Sequence, residues 1–377
     1  MRYDIHTYGA VMLLASLATV ADAYPATPSG CGGCGNCHDA PPPSATLLER
    51  LKDSARAGKV LFGHHDDTAY GHTWRGEEGR SDVLEVTDSY PAMMSWDLGG
   101  LECGDSVNLD GVLFDLMRRE SLRQNARGGV NTFSWHLRHP LTDADCWTVT
   151  DPQAVHSIVA TPEGREAYAR QLDRLADFFL SLTDCCGRPV EVIFRPWHEH
   201  TGGWFWWGAQ HCSPDDYRQL WTLMRERFDS RGVGNVVWAY SPDRCNDAAL
   251  YMERYPGDEY VDILGADVYH FNGAEGTAQY LEAAGRTLAI ATEEARKRGK
   301  VAAFTETGCE SLPIADWYTA VLLPLLSAHS PAYVTVWRNA DDKPQHFYTP
   351  YKGHPAEADF TEFCRNPAIR MLPAKER

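Results

Sequence analysis

A (β/α)8 TIM barrel is the fold this sequence predicts, on three observations. Eight short, β-rich apolar runs recur between Lys59 and Asn339, amphipathic helical stretches separate them, and polar or aromatic residues gather at one end of nearly every run. Near-continuous apolar strands alternating with helices imply parallel strands covered on their outer face. Eight such units point to a closed barrel in preference to an open doubly wound sheet. No G-x-G-x-x-G follows the first run, which removes the commonest dinucleotide-binding alternative.

Taken in order, the first run is Lys59–Asp66, and it ends in His64, His65, Asp66 and Asp67. The second, Tyr90–Asp97, ends in Trp96 and Asp97, and a helical pattern follows over Leu109–Asn125. Gly129–His136 ends in Trp135 and His136 and is followed by a helix over Arg165–Leu182. Val190–Glu199 ends in Trp197-His198-Glu199. The helix after it, Pro214–Asp229, has Ser213 as its N-cap and a proline in its first turn. Asn235–Asp243 and Val261–Tyr269 come next, the latter carrying Asp267 and Tyr269 at its end. Gly299 closes the helix over Thr277–Arg298 behind a basic last turn. Lys300–Thr307 carries Glu306, the helix Asp316–Ser327 follows, and Ala332–Asn339 carries Trp337 and Arg338. The opposite ends of these runs are bland, as in Lys59-Val60, Pro189-Val190 and Lys300-Val301. Barrel enzymes keep their chemistry at the carboxyl ends of the strands, so this asymmetry marks one face as functional.

Whole-chain properties narrow the partners. The 377 residues carry a formal charge of −17, which disfavours nucleic acid and anionic membrane surfaces but places no barrier before a neutral substrate. Residues 1–23 read as a signal peptide: Arg2, an apolar stretch from Tyr8 to Val20, and the small-x-small Ala21-Asp22-Ala23. That stretch is too short for a permanent span, so secretion without stable membrane insertion is expected. Pro28-Ser29-Gly30-Cys31 makes a lipoprotein anchor the less favoured alternative, because it lacks the leucine-like residue of such a cleavage site. Eleven cysteines suit an oxidising compartment. Residues 24–43 form a Cys/Gly/Pro-rich linker in which Cys31, Cys34 and Cys37 are read as disulfide or tether residues, with His38 completing a metal set only as the alternative. Residues 44–377 are left as one catalytic domain, expected to be monomeric.

Glu199 and Glu306 end the fourth and seventh runs and can face each other across the barrel mouth. Two carboxyl groups flanking a sugar linkage are the usual equipment for glycoside cleavage, one protonated to assist the leaving oxygen and one ionised to attack or to activate water. The aromatic surroundings of Glu199 favour its protonated form. Arg338 and Tyr269 are expected to hydrogen-bond Glu306. Of the run Trp204-Phe205-Trp206-Trp207, Trp204 is the first candidate to stack on a sugar, and Trp337 is expected to form the floor of the cleaved-sugar subsite. His198 and His200 flank Glu199 without the helical spacing of a zinc-protease pair, so His198 is read as orienting the acid, and no metal or cofactor is expected. His64 and His65 are open between mouth hydrogen-bonding and packing. A non-catalytic sugar-binding barrel, which would lack one of the glutamates, and a metal-dependent hydrolase are the competing classes.

The sequence Arg195-Pro196-Trp197-His198-Glu199 with Trp204-Phe205-Trp206-Trp207-Gly208, and Phe304-Thr305-Glu306-Thr307-Gly308 downstream, resembles glycoside hydrolase family 26. Gly63-His64-His65-Asp66, Trp96-Asp97, Ser134-Trp135-His136, Asp262, Asp267-Val268-Tyr269, Trp337-Arg338-Asn339 and the Tyr351 to Pro355 segment extend the likeness from about Val60 to Phe363. The resemblance implies a (β/α)8 barrel, a retaining double displacement and, for the usual members, β-1,4-mannanase activity on mannan, glucomannan or galactomannan, with mixed-linkage β-glucan or β-xylan as the alternative substrates. It implies Glu199 as acid/base and Glu306 as nucleophile. By the same likeness His198 tunes the acid, and His136, Trp204, Asp262, Tyr269, Trp337 and Arg338 line the subsites. Cys103, Cys146, Cys212, Cys245 and Cys309 fall outside that pattern, and Cys212 with Cys245 is the expected pair.

Overall fold

Val is the commonest residue of the eight runs, and in the computed structural model, which describes residues 45–374, each run contributes one barrel strand. They are β1 (Val60–His65), β2 (Met93–Asp97), β3 (Val130–Ser134), β4 (Val192–Arg195), β5 (Val236–Tyr240), β6 (Ile263–His270), β7 (Val301–Cys309) and β8 (Tyr333–Val336). Every neighbouring pair is parallel, and β8 pairs back onto β1 with Leu61 opposite Tyr333, which closes the ring. A further strand, β9 (Ile369–Pro373), runs beside the foot of β1 and pairs antiparallel with Ser89–Pro91. The second expected run is therefore split: its first residues pair outside the barrel, and Met93 begins the barrel strand proper.

Side-chain alternation divides the apolar residues into two layers. Leu61, Met93, Val130, Ile193, Val237, Ala303 and Tyr333 fill the barrel's interior towards its amino end. Met94, Phe133, Phe194 and Trp238 face outward under the helices of one half, and Phe62, Phe304 and Val334 do so in the other. The helices follow their sequence signals. Pro214–Arg231 starts at Ser213, whose hydroxyl accepts from the Asp216 amide, and Gly273–Arg298 ends at Gly299 in a left-handed conformation (φ 66°). Leu109–Asn125 is shorter than expected: the helix is Phe114–Ala126, and Asp110 belongs to the loop before it. Asp316–Ser327 becomes a π-helical turn, Tyr318–Leu322, running into Leu323–His329. Pro324 offers no amide hydrogen to the preceding turn, which accounts for the widened pattern there.

The signal peptide at 1–23, the linker at 24–43 and the Cys31/Cys34/Cys37 segment lie outside the described residues. No helix among the described residues is long and apolar enough to cross a membrane.

Candidate active site

Two local departures from regular strand geometry build the site. Pro196 cannot donate to a sheet ladder, so β4 stops at Arg195. Trp197 and Glu199 then take left-handed backbone, each with φ 53°, a conformation that costs a non-glycine residue on the order of 1 kcal/mol and concentrates at functional sites. Strand alternation no longer applies to His198 and Glu199, and both reach the mouth. On β7 the register slips: Ala303 lies opposite Gly265 of β6, but Glu306 lies opposite Asp267, so three steps on β7 match two on β6. The same offset recurs against β8 between Phe304 and Thr307. Without this bulge, alternation from inward-facing Ala303 would send Glu306 outward; with it, Glu306 joins Thr305 on the inner face.

Arg195 connects what these departures bring inward. Its guanidinium, 3% exposed, donates through Nη1 to Asp267 (2.7 Å) and through Nη2 to Glu306 Oε2. Tyr269 Oη donates to the other oxygen of Glu306 at 2.6 Å. Asp267 also accepts from Ser241 Oγ and Thr305 Oγ1, both at 2.6 Å. Burial is the main force on Asp267 and raises its pKa to about 7, with Arg195 opposing and Glu306 adding to the rise. Glu199 is raised well above the carboxylate range, first by burial and then by the charge of Glu306. Trp204 Nε1 donates to Glu199 Oε2 at 2.6 Å, and the Glu199 amide donates to Ser241 O at 2.8 Å.

Around this pair the other mouth residues fall into place. Asp97 accepts from the His136 ring (Nδ1 to Oδ2, 2.7 Å) and from Ser134 Oγ (2.6 Å). Burial disfavours the charged form of His136, but Asp97 outweighs it and raises the His136 pKa. His136 Nε2 lies 3.2 Å from His198 Nε2, so one nitrogen carries the proton they share. Burial, with Arg195 and His136 nearby, keeps His198 neutral. His200 is spent elsewhere, between the hydroxyls of Tyr217 and Tyr240, so the two histidines flanking Glu199 do not converge as ligands. Trp204 is exposed, whereas Phe205, Trp206 and Trp207 are buried. Trp337 stacks on His65 with centroids 4.0 Å apart, which gives His65 a mouth position, while His64 pairs with Asp67 inside the fold. His65, Asp66 and Asp110 offer three donor atoms within 4.8 Å of one another, the one such set among the described residues. Arg338 is bound to Asp110 and supplies positive charge to that cluster directly.

A carboxyl group whose protonated form is favoured, near a second carboxyl group that receives donors on both oxygens, can perform acid-assisted displacement at an acetal carbon. Residues 40–307 match the sequence profile of glycosyl hydrolase family 26. The chain belongs to glycosyl hydrolase family 26. Its structure is similar to that of a family 26 β-mannanase from Bacteroides ovatus, with 44% identity and a TM-score of 0.84 over 88% of this chain and 96% of that one. A mannan endo-1,4-β-mannosidase of Bifidobacterium adolescentis is 30% identical over 341 residues, 84% of this chain and 33% of that protein. Another of the same name, from Bacillus subtilis strain 168, is 34% identical over 233 residues, 60% of this chain and 54% of its own length. The chain thus spans about a third to a half of these curated relatives.

Three expectations are corrected by the family 26 structure. Arg338 does not touch Glu306; its Nη2 is 2.9 Å from Asp110 Oδ1 and its Nη1 donates to Tyr70 Oη. Arg195, coming from the barrel interior, fills the place expected of it. Asp262 does not line the mouth: it precedes β6 and accepts from the Trp238 amide at 2.9 Å, five residues and about 16 Å of extended chain before Asp267. Asp267, at the correct end, is the acid that enters the site. Cys212 and Cys245 are free thiols that donate to nearby backbone carbonyls, Ser213 O and Asp243 O.

Arg195, Asp267 and Asp110 are the residues whose roles sequence reasoning missed. For Arg195 a signal existed. An arginine ending the apolar segment Val192-Ile193-Phe194 must be buried, and a buried cation requires carboxylate partners.

Proposed function

We propose that this chain is an endo-acting β-1,4-mannanase that retains anomeric configuration, with Glu199 as acid/base and Glu306 as nucleophile. The observation that carries the reading is the contrast between the two glutamates. Burial and a neighbouring negative charge favour the protonated form of Glu199, whereas Glu306 is fixed by Arg195 and Tyr269. In the first step a Glu306 oxygen bonds to the anomeric carbon, the bond to the leaving sugar breaks, and the leaving oxygen takes the Glu199 proton. In the second, Glu199 removes a proton from water, the water oxygen bonds to the same carbon, and Glu306 is released. Two inversions restore the starting configuration. The names of the relatives from Bacteroides, Bifidobacterium and Bacillus support mannan as the polymer.

The test is a panel of linear mannan, glucomannan, mixed-linkage β-glucan and xylan, with the first-formed anomer followed by NMR. Release of mannan oligosaccharides with β configuration is expected. Cleavage confined to glucan or xylan would replace the substrate, and first-formed α product would exclude the mechanism.

Tyr269→Phe removes one of the two donors to Glu306 with little change of shape. Hydrogen bonds to charged groups contribute about 1.5–3 kcal/mol, so kcat/KM should fall about 10- to 100-fold while thermal stability changes little. An unaltered kcat/KM would show that Tyr269 does not position the nucleophile.

A further inference from the structure

Among the described tryptophans and phenylalanines only Trp147, Trp204 and Phe271 are exposed, and all three stand at the barrel mouth. Trp204 is bonded to Glu199, and Trp147 lies against His136. Phe271, 45% exposed, follows β6 with its ring 6.2 Å from the ring of Tyr269 and inclined to it by 33°. Partly exposed aromatic surface at a binding face marks a contact for a ligand.

We propose that Phe271, braced by Arg244, is a stacking platform for a sugar on the leaving-group side of the cleft. The barrel order separates the two sides. Between Glu199 after β4 and Glu306 on β7 the ring has a short arc, β5 and β6, and a long arc, β8 through β3. The long arc carries Trp337, His65, Arg338 and His136. The short arc adjoins the acid directly, through the Glu199 amide on Ser241 O and through Asp243, whose charge acts on Glu199. Arg244 and Phe271 stand on this short arc, beyond Tyr269. The leaving sugar, which takes the proton from Glu199, passes over them.

The platform is rigid before any sugar arrives. His270 is held by Trp317 Nε1 at its Nδ1 (2.9 Å) and by Gly273 O at its Nε2 (2.8 Å), and its ring stacks on Tyr280 at 4.8 Å. Asn272 and Gly273 turn the chain with φ of 63° and 51°. At Gly276 the following helix packs so tightly on the Phe271 carbonyl that an added Cβ would come within 1.8 Å of that oxygen. The Arg244 guanidinium lies 5.5 Å from the centre of the Phe271 ring and supports it on one side. A ring fixed in this way stacks on the C–H face of a pyranose with little ordering cost.

The inference rests on the mannanase reading, and its test separates the two. For wild type and Phe271→Ala, kcat/KM is measured on β-1,4-mannohexaose and on an aryl β-mannobioside, which carries no sugar on the leaving-group side. The ratio of hexaose to aryl values should fall about tenfold in Phe271→Ala, hold in Phe271→Trp, and fall less in Arg244→Met. An unchanged ratio in Phe271→Ala would overturn the platform. Should wild type cleave cello-oligosaccharides and not mannohexaose, the mannan reading fails, and the same ratio measured with the corresponding glucosides still tests Phe271.

Discussion

Glu306→Ala is expected to lower mannan turnover by roughly 10⁵-fold with the fold intact, because no other group can form the covalent intermediate. Glu199→Ala should be comparably inactive on polymer, where the leaving sugar needs a proton. With an activated aryl leaving group the two variants diverge. Glu199→Ala can still form the Glu306 ester, and azide should intercept it to give a glycosyl azide of retained configuration. In Glu306→Ala azide can attack only the substrate itself, giving the inverted azide. Exchange of these two configurations would interchange the assigned roles, and normal polymer turnover by either variant would end the proposal.

The pH profile follows from the same residue. Burial and the Glu306 charge raise the Glu199 pKa well above that of an ordinary carboxylate. Catalysis requires the protonated form, so kcat/KM falls as pH rises through that raised value. For an activated aryl substrate the limb should vanish in Glu199→Ala.

The barrel was legible because its strands are apolar runs whose chemistry sits at one end, and that pattern needs no tertiary information. The positions of Glu199 and Glu306 at the carboxyl ends of their strands were legible for the same reason. Their orientation was not. Counting residues cannot reveal the β7 bulge that turns Glu306 inward, nor the left-handed backbone at Trp197 and Glu199. Partner choice was equally hidden. Arg338 follows β8, the neighbour of the strand that carries Glu306, whereas Arg195 ends β4 three strands away, and only the packed interior shows that the distant one reaches it. Asp262 and Asp267 lie five residues apart in one apolar run, and only the strand's start, at Ile263, shows that the former belongs to the floor and the latter to the mouth.

Arg195 is the position where fold and chemistry meet, and Arg195→Met is expected to damage both. The change keeps most of the side chain's volume but leaves Asp267 and Glu306 buried without their cation. Breaking a buried ion pair from one side costs about 3–5 kcal/mol, which for a barrel of this size lowers Tm by roughly 4–7 °C. Loss of the Arg195 donor from Glu306 should lower kcat by about 100-fold or more. The pH dependence of stability gives a sharper readout. Asp267 already has a folded pKa of about 7 against an ordinary 3.8, so the folded state binds the extra proton and stability from this group declines as pH rises from about 4 to 7. Without Arg195 the Asp267 pKa rises further, and the decline should extend to higher pH. Adding Asp267→Asn to Arg195→Met should then restore much of the Tm and flatten that dependence without restoring activity, since Glu306 still lacks its donor. Full activity in Arg195→Met, or a Tm equal to wild type at pH 8, would show that the cation does not hold the two acids in place.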